Sequence, residues 1–74
     1  MSEFNYQIVK QLAVLKESKG YTLEVNVIDY GRNANKYDIR RWDRRNEEAP
    51  KMLKGITLTK EEFELLQDFF RGEQ

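Results

Sequence analysis

The chain has 74 residues, enough for one small domain, of which 39% are hydrophobic and 35% are charged. It contains no cysteine and no histidine, which excludes disulfides, zinc sites of the Cys/His kind, and Ser-His-Asp or Cys-His catalysis. A chain this short buries little surface alone, so we expect homodimerisation to supply additional stability.

Positive charge is concentrated in the middle of the sequence. Residues 30–54 carry eight basic and four acidic groups, a net charge of +4. Residues 1–29 carry three basic and four acidic groups (net −1), and residues 55–74 carry two and five (net −3). A segregated basic patch attracts a polyanion even when the whole protein is neutral. The alternative, from composition alone, is a solvated basic face of a sheet.

The first two segments are predicted to be strands. In residues 4–16, Ile8, Leu12 and Leu15 also suit a helical stripe, but the β-branched and aromatic content favours a strand. Strict alternation would place on one face Tyr6, Ile8, Lys10, Leu12 and Val14. A turn is expected at residues 17–20. Residues 21–30 alternate most clearly, and the adjacent apolar pair Val27-Ile28 predicts a bulge or twist that sends Ile28 and Tyr30 to the face of Asn26.

The third strand is predicted over residues 36–44, after a polar loop at 31–35. Side chains two apart share a face, so one face presents Lys36, Asp38, Arg40, Trp42 and Arg44. A charged loop over residues 45–50 precedes a short fourth strand at 51–58. Within that strand, Gly55 permits a bulge or a close backbone approach.

The last segment has the features of a helix. Thr59 followed by Glu62 forms a capping box, and the helix is expected to end near Arg71, before Gly72. An apolar stripe at helical spacing predicts a core or dimer interface formed by Phe63, Leu66, Phe69 and Phe70. The predicted fold class is α+β, a curved four-stranded antiparallel meander followed by one C-terminal helix, with residues 1–74 as a single domain.

Catalysis has little support in these residues, and no cofactor is expected. The carboxylates are dispersed, and no glycine-rich phosphate loop is present. Single-stranded nucleic acid is held by basic groups along its backbone and by aromatic rings that stack on its bases. Trp42, two residues from both Arg40 and Arg44, supplies both elements. The alternative for Trp42 is a half-buried interface residue. Double-stranded DNA fits less well, because the acidic helix would be repelled from the major groove.

The third strand, fourth strand and helix together resemble the positive-cofactor-four family of transcriptional coactivators, most closely its compact bacterial YdbC-like members. The resemblance is carried by KYDIRRW at residues 36–42 and KGITLTKEEFELL at 54–66, and it covers roughly residues 4–70. It implies a curved sheet followed by a helix, a homodimer, and binding of single-stranded DNA largely independent of sequence. It also implies that Arg40, Trp42 and Lys54 occupy DNA-contacting positions, and that Lys36 and Tyr30 extend them.

We therefore predict a homodimeric, non-enzymatic single-stranded DNA-binding protein of transcription or DNA replication and repair. The predicted contacts are Trp42, Arg40, Lys36, Arg44, Lys54, Tyr30, Asn26 and, at the edge of the patch, Lys16. Trp42→Ala is expected to weaken oligo-dT binding about tenfold or more with the fold intact. The N-terminus lacks the basic and apolar regions of a signal peptide, so the expected location is cytoplasmic and nucleoid-associated. Two rivals remain: binding of single-stranded RNA, and a module that docks an acidic protein partner.

Overall fold

Four strands and one helix follow one another along the chain. In this computed structural model, which describes residues 6–31 and 34–72, the strands are β1 (Gln7–Ser18), β2 (Tyr21–Asp29), β3 (Lys36–Asp43) and β4 (Lys51–Leu58). They are followed by the helix α1 (Lys60–Phe70). All neighbouring strands pair antiparallel in the order β1-β2-β3-β4, which confirms the predicted meander and helix. Residues 4–5 of the predicted first strand and residues 32–33 of the predicted loop lie outside the described residues.

The strand β2 alternates without interruption. Its pairing with β3 is regular from Tyr21 opposite Asp43 to Ile28 opposite Lys36. Ile28 therefore reaches the face of Asn26 by ordinary alternation, because the two residues lie two positions apart. The predicted bulge at Val27-Ile28 was wrong. Register shifts occur instead where β2 pairs with its other neighbour, and there the extra residues belong to β1.

The strand β1 steps along β2 in units of three residues. Its register with β2 shifts between Ile8 and Lys10, between Gln11 and Ala13, and between Val14 and Lys16. The skipped positions are Val9, Leu12 and Leu15. Three bulges make β1 a 12-residue strand beside a 9-residue neighbour. Such bulges bend a strand and increase its twist. Because each one inserts an extra residue, the predicted two-residue alternation of β1 was wrong.

The sheet has two chemically different faces. The polar face is defined by Thr22, Glu24, Asn26 and Ile28 of β2 and by Lys36, Asp38, Arg40 and Trp42 of β3. The apolar face is defined by Leu23, Val25 and Val27 of β2, by Tyr37 and Ile39 of β3, and by Ile56 and Leu58 of β4. The polar face is the more deeply buried, whereas Ile56 on the apolar face is 55% exposed.

The helix begins at the predicted cap. The Thr59 hydroxyl accepts a hydrogen bond from the Glu62 backbone N–H (3.1 Å), and the Glu62 carboxylate accepts one from the Thr59 N–H (2.9 Å). This reciprocal pair is the capping box. The Phe63 ring stacks on Tyr37 with centroids 4.1 Å apart, which places α1 beside the apolar face. Gly72 follows the helix at φ +79°, as a left-handed C-terminal stop requires.

Gly55 is required by close contact between β3 and β4. It lies opposite Arg40, and a Cβ added there would overlap the Arg40 Cβ and approach the Ile39 carbonyl oxygen to 2.5 Å. We expect Gly55→Ala to lower the free energy of unfolding by about 1–3 kcal/mol, the cost of overpacking. Urea denaturation measures this loss. Gly31→Asn is the control, since Gly31 has open space and a left-handed φ that Asn tolerates. Equal midpoints for the two variants would contradict the close contact.

Candidate nucleic-acid interface

Most of the predicted binding residues meet on the polar face. Alternation in β3 aligns Lys36, Arg40 and Trp42, and the register with β2 places Asn26 opposite Asp38. Two further predicted residues, which lie just beyond the ends of β3 and β2, reach this face through side-chain hydrogen bonds. Arg44 reaches Glu24, and Tyr30 reaches Asp38. The polar face thus brings together residues from two strands and two strand ends.

A buried carboxylate, that of Glu24, organises one half of this face. Glu24 is fully buried, and Arg44 donates to it through Nε (2.5 Å) and Nη2 (3.0 Å). The Thr22 hydroxyl and the Asn26 amide also donate to it, at 2.5 and 3.1 Å, and Gln11 of β1 adds a longer contact at 3.4 Å. A buried charge is tolerated only when it is paired and hydrogen-bonded, and Glu24 satisfies both conditions.

The same contacts control the protonation of Glu24. Burial by itself would raise its pKa, but hydrogen bonds from Arg44, Thr22 and Asn26, with the positive charge of Arg44, outweigh burial and lower the pKa to about 2. Glu24 is therefore ionised at neutral pH. Its negative charge holds the Arg44 guanidinium at the end of β3.

A second buried carboxylate, that of Asp38, organises the other half. Arg40 donates to Asp38 through Nε and Nη2, both at 2.7 Å, and its Nη1 donates to the Leu53 carbonyl at 3.0 Å. The Tyr30 hydroxyl also donates to Asp38, at 3.0 Å. Burial and the negative charge of Asp38 raise the pKa of Tyr30 to about 12, so the phenol stays protonated. The two-point contact fixes the guanidinium plane of Arg40.

Trp42 lies on the predicted face, but its side chain is fully buried. The Tyr6 ring packs against the indole with centroids 5.9 Å apart, and the Arg44 guanidinium lies 5.0 Å from the indole centroid. The expectation of an indole lying open to a base is therefore not met in this structure. Alternation identifies the face of a residue but not the side chains that cover it.

Two buried polar atoms of this face have no hydrogen-bond partner among the described residues. They are the indole Nε1 of Trp42 and the amide Oδ1 of Asn26. Buried polar groups are nearly always hydrogen-bonded, and an unpaired one is costly. One unpaired donor and one unpaired acceptor on the same face are therefore groups that a bound ligand can satisfy.

The two remaining predicted lysines lie in different places. Lys54 is exposed in a bulge of β4, next to Gly55 and hence beside Arg40. Lys16 pairs with Leu23, whose neighbour in β3 is Arg41, so it belongs to the opposite side of the sheet. The structure thus separates Lys16 from the Trp42 patch, because the bulges in β1 change the face of every residue that follows them.

The predicted interface residues of the helix differ in exposure. Phe63 and Leu66 are half-buried, and Phe63 packs on Tyr37 of its own chain. Phe69 and Phe70 are 63% and 76% exposed and contact each other edge to face at 5.4 Å. Phe63 therefore contributes to the fold of one chain, while Phe69 and Phe70 present an uncovered aromatic pair.

Sequence reasoning missed the acidic partners and the aromatic cover of the site. Glu24 and Asp38 alternate onto the same face as the arginines, and that spacing was the available signal. Tyr6 precedes β1, and nothing in its sequence context indicated contact with Trp42, 36 positions later. Local patterns do not report a contact between residues so distant in the chain.

Two comparisons show which known proteins this chain is similar to. The sequence model of the family described as Transcriptional Coactivator p15 (PC4) matches residues 11–69. An uncharacterized protein of Treponema pallidum (strain Nichols) is 36% identical over 71 residues, which cover 95% of this chain and 80% of that protein. In the described part of the chain, no helix has the length and hydrophobicity that a membrane crossing requires. The family is one of nucleic-acid-binding, non-enzymatic proteins. With most of its length matched and its strands and helix in the expected order, the chain belongs to the Transcriptional Coactivator p15 (PC4) family.

Proposed function

We propose that this protein is a homodimeric single-stranded DNA-binding protein, largely independent of sequence, that acts in transcription regulation or in DNA replication and repair. In this proposal residues 1–74 form a DNA-binding domain that acts in the cytoplasm, at the nucleoid. The observation that carries the proposal is the polar face, where Arg40 and Arg44 lie on either side of Trp42 along the chain and two buried polar atoms lack hydrogen-bond partners among the described residues. Family membership supports nucleic-acid binding in general.

Lysine and arginine serve different purposes in the proposed contact. The side chains of Arg40 and Arg44 are 15% and 27% exposed, and their carboxylate partners hold them in place. Each guanidinium has five N–H donors, so donors remain for a phosphate after the carboxylate is bound. Lys36 and Lys54 have no ion pair within residues 6–31 and 34–72, and they supply net positive charge.

Base stacking on Trp42 requires the indole to be uncovered. Tyr6 and Arg44 both lie against it. In our proposal an incoming base takes the position of one of them on the indole ring. The unpaired Nε1 of Trp42 and Oδ1 of Asn26 then find partners on the base or sugar. Stacking of a base on an aromatic side chain contributes about 1–3 kcal/mol, enough to offset the contact that is lost.

Dimerisation is supported by an imbalance in what the single chain buries. Among the described residues, Ile28 and Trp42 are the only hydrophobic side chains that are fully buried, while Ile56, Leu65, Phe69 and Phe70 are more than half exposed. A monomer rarely exposes so much apolar surface without a partner. We propose that a second copy covers the apolar face and the helix, through Leu66, Phe69 and Phe70 beside Phe63.

Titration with a short oligo-dT tests the proposal. The chain has one tryptophan, so its emission reports on Trp42 without a label. We expect binding, a change in that emission, and a measured mass of two chains of 8.9 kDa each. If Lys36, Arg40, Arg44 and Lys54 each neutralise one phosphate, log affinity should fall with log salt with a slope of about −2.8 per protomer.

The lysine variants provide the matched control. Lys36→Gln with Lys54→Gln should make the slope less negative by about 1.4, since each phosphate contact contributes about 0.7. Lys10→Gln with Lys60→Gln removes the same charge away from the polar face and should leave the slope unchanged. Binding without any change in tryptophan emission would contradict the role of Trp42. If duplex DNA, RNA or an acidic peptide competes more strongly than oligo-dT, that competitor and not single-stranded DNA is the preferred ligand, and the proposal is overturned.

A further inference from the structure

A second concentration of positive charge lies at the end of the sheet where β1 turns into β2. A cavity of about 260 Å³ opens there, lined by Lys16, Ser18, Lys19, Tyr21, Thr22, Leu23 and Arg41. We call it the hairpin pocket. Every charged residue that lines it is basic, and its other polar lining residues, Ser18, Tyr21 and Thr22, are hydroxyl-bearing. An anion with oxygen acceptors is therefore the ligand that fits its chemistry.

The cations of the hairpin pocket differ from the arginines of the polar face in having no acidic partner among the described residues. Arg40 and Arg44 of the polar face, and also Arg45 beyond the end of β3, each form an ion pair with a carboxylate. Lys16, Lys19 and Arg41 form no ion pair with any residue in the described ranges 6–31 and 34–72. Their positive charge is uncompensated, so the pocket attracts anions more strongly than a surface of paired charges.

The turn that positions Lys19 is itself unusual. Lys19 and Gly20 are the two central residues between Ser18 and Tyr21, with φ angles of 54° and 87°. Two-residue hairpins with both φ angles positive favour asparagine, aspartate or glycine at the first position, not lysine. The Cβ of lysine disfavours this conformation, and residues held in disfavoured conformations are concentrated at functional sites. The conformation of Lys19 therefore supports a functional role for its ammonium group.

The sheet register connects this pocket to the polar face. Lys16, Leu23 and Arg41 form one row across three strands, on the apolar side of the sheet. Thr22, which also lines the pocket, belongs to the polar face and pairs with Trp42. The row lies at the opposite end of the sheet from Tyr37 and the helix, and of its three members only Leu23 belongs to the apolar face that we assign to the second copy.

We propose that the hairpin pocket binds backbone phosphates of single-stranded DNA that continues beyond the polar face, around the end of the sheet. The inference rests on the proposed function and extends its binding path. A strand that leaves Trp42 meets Thr22 first, then the ammonium groups of Lys19 and Lys16. Only a strand long enough to pass the hairpin gains these contacts, so they increase affinity with DNA length.

Oligomers of two lengths test the hairpin pocket. The variant is Lys16→Gln with Lys19→Asn, in which asparagine suits the left-handed turn and preserves the hairpin. For oligo-dT of about 20 nucleotides, well beyond one site size, we expect affinity to fall about tenfold at low salt and the salt slope to become less negative by about 1.4. For oligo-dT of about 6 nucleotides we expect no change. The melting temperature should equal or exceed that of the unmodified protein.

The control variant and the unmodified protein separate the possible failures. Lys10→Gln with Lys60→Gln removes the same charge outside the pocket and should leave both oligomers unaffected. If the pocket variant binds the long oligomer like the unmodified protein, the hairpin pocket is not a phosphate site and the proposed function stands. An equal loss of affinity for both oligomers would show that these lysines already contact the short oligomer. That result would overturn the proposal that the hairpin pocket binds only DNA continuing beyond the polar face. Absence of binding by the unmodified protein would overturn both proposals.

Discussion

Trp42→Ala is expected to destabilise the protein strongly. The indole is fully buried, and truncating a buried tryptophan costs about 3–5 kcal/mol. A 74-residue chain has a total stability of about 4–11 kcal/mol at 0.05–0.15 kcal/mol per residue. The loss is therefore comparable with the lower end of this range and less than half of its upper end. Urea denaturation followed by circular dichroism, at one fixed protein concentration, measures it.

Trp42→Phe is the matched control for this truncation. It keeps an aromatic ring between Tyr6 and Arg44 and removes the unpaired indole Nε1, so most of the stability should remain. A midpoint for Trp42→Ala close to that of the unmodified protein would show that the indole is not buried in solution. The burial also argues against the expectation from sequence that Trp42→Ala leaves the fold intact. The phenylalanine variant is therefore the better probe of DNA binding.

Acidification is expected to destabilise the protein through Glu24. Its pKa is about 2 in the folded chain against 4.5 for an unperturbed glutamate, so the folded state favours the ionised form. The resulting stability is complete above about pH 4.5 and is lost as pH falls towards 2. Its size is on the order of 3 kcal/mol, because each pKa unit corresponds to about 1.4 kcal/mol. Denaturation midpoints at pH 7, 5 and 3 measure the loss.

Glu24→Gln isolates this contribution. Asp43, whose pKa is also lowered to about 2 by hydrogen bonds from Arg45, titrates in the same window, so the unmodified profile contains both groups. Glu24→Gln should be less stable at pH 7, because Arg44 loses its buried partner, and should lose less stability between pH 5 and 3. Glu64→Gln, on the exposed surface of the helix, should follow the unmodified protein. Identical profiles for Glu24→Gln and Glu64→Gln would contradict the assigned role of Glu24.

Strand alternation and helix capping account for the parts of the fold that the sequence predicts. In β2 and β3 the step of two residues places Asn26, Arg40 and Trp42 on one face, as observed. The hydroxyl of Thr59 and the carboxylate of Glu62 identify the start of the helix through contacts only three residues apart. These features depend on near neighbours in the chain, and near neighbours are what a sequence pattern reports.

The unpredicted parts of the site depend on contacts between distant residues. Tyr6 and Arg44 lie against the buried Trp42, and Arg44 in turn is held by Glu24, 20 positions earlier. The displacement of Lys16 to the other side of the sheet results from the bulges that precede it. Each of these facts needs the register between strands, which periodicity within one strand does not contain.

The three-residue step of β1 has a consequence for insertions and deletions. In a regular strand, loss of one residue reverses the side on which every later residue points. In β1, loss of Leu12 would bring Ala13 directly after Gln11, and the two would still face Val25 and Asn26. Such a deletion would straighten the sheet without exchanging its two surfaces. Relatives can therefore differ in the bend of this strand by single-residue changes in length while the same side chains remain above the same neighbours.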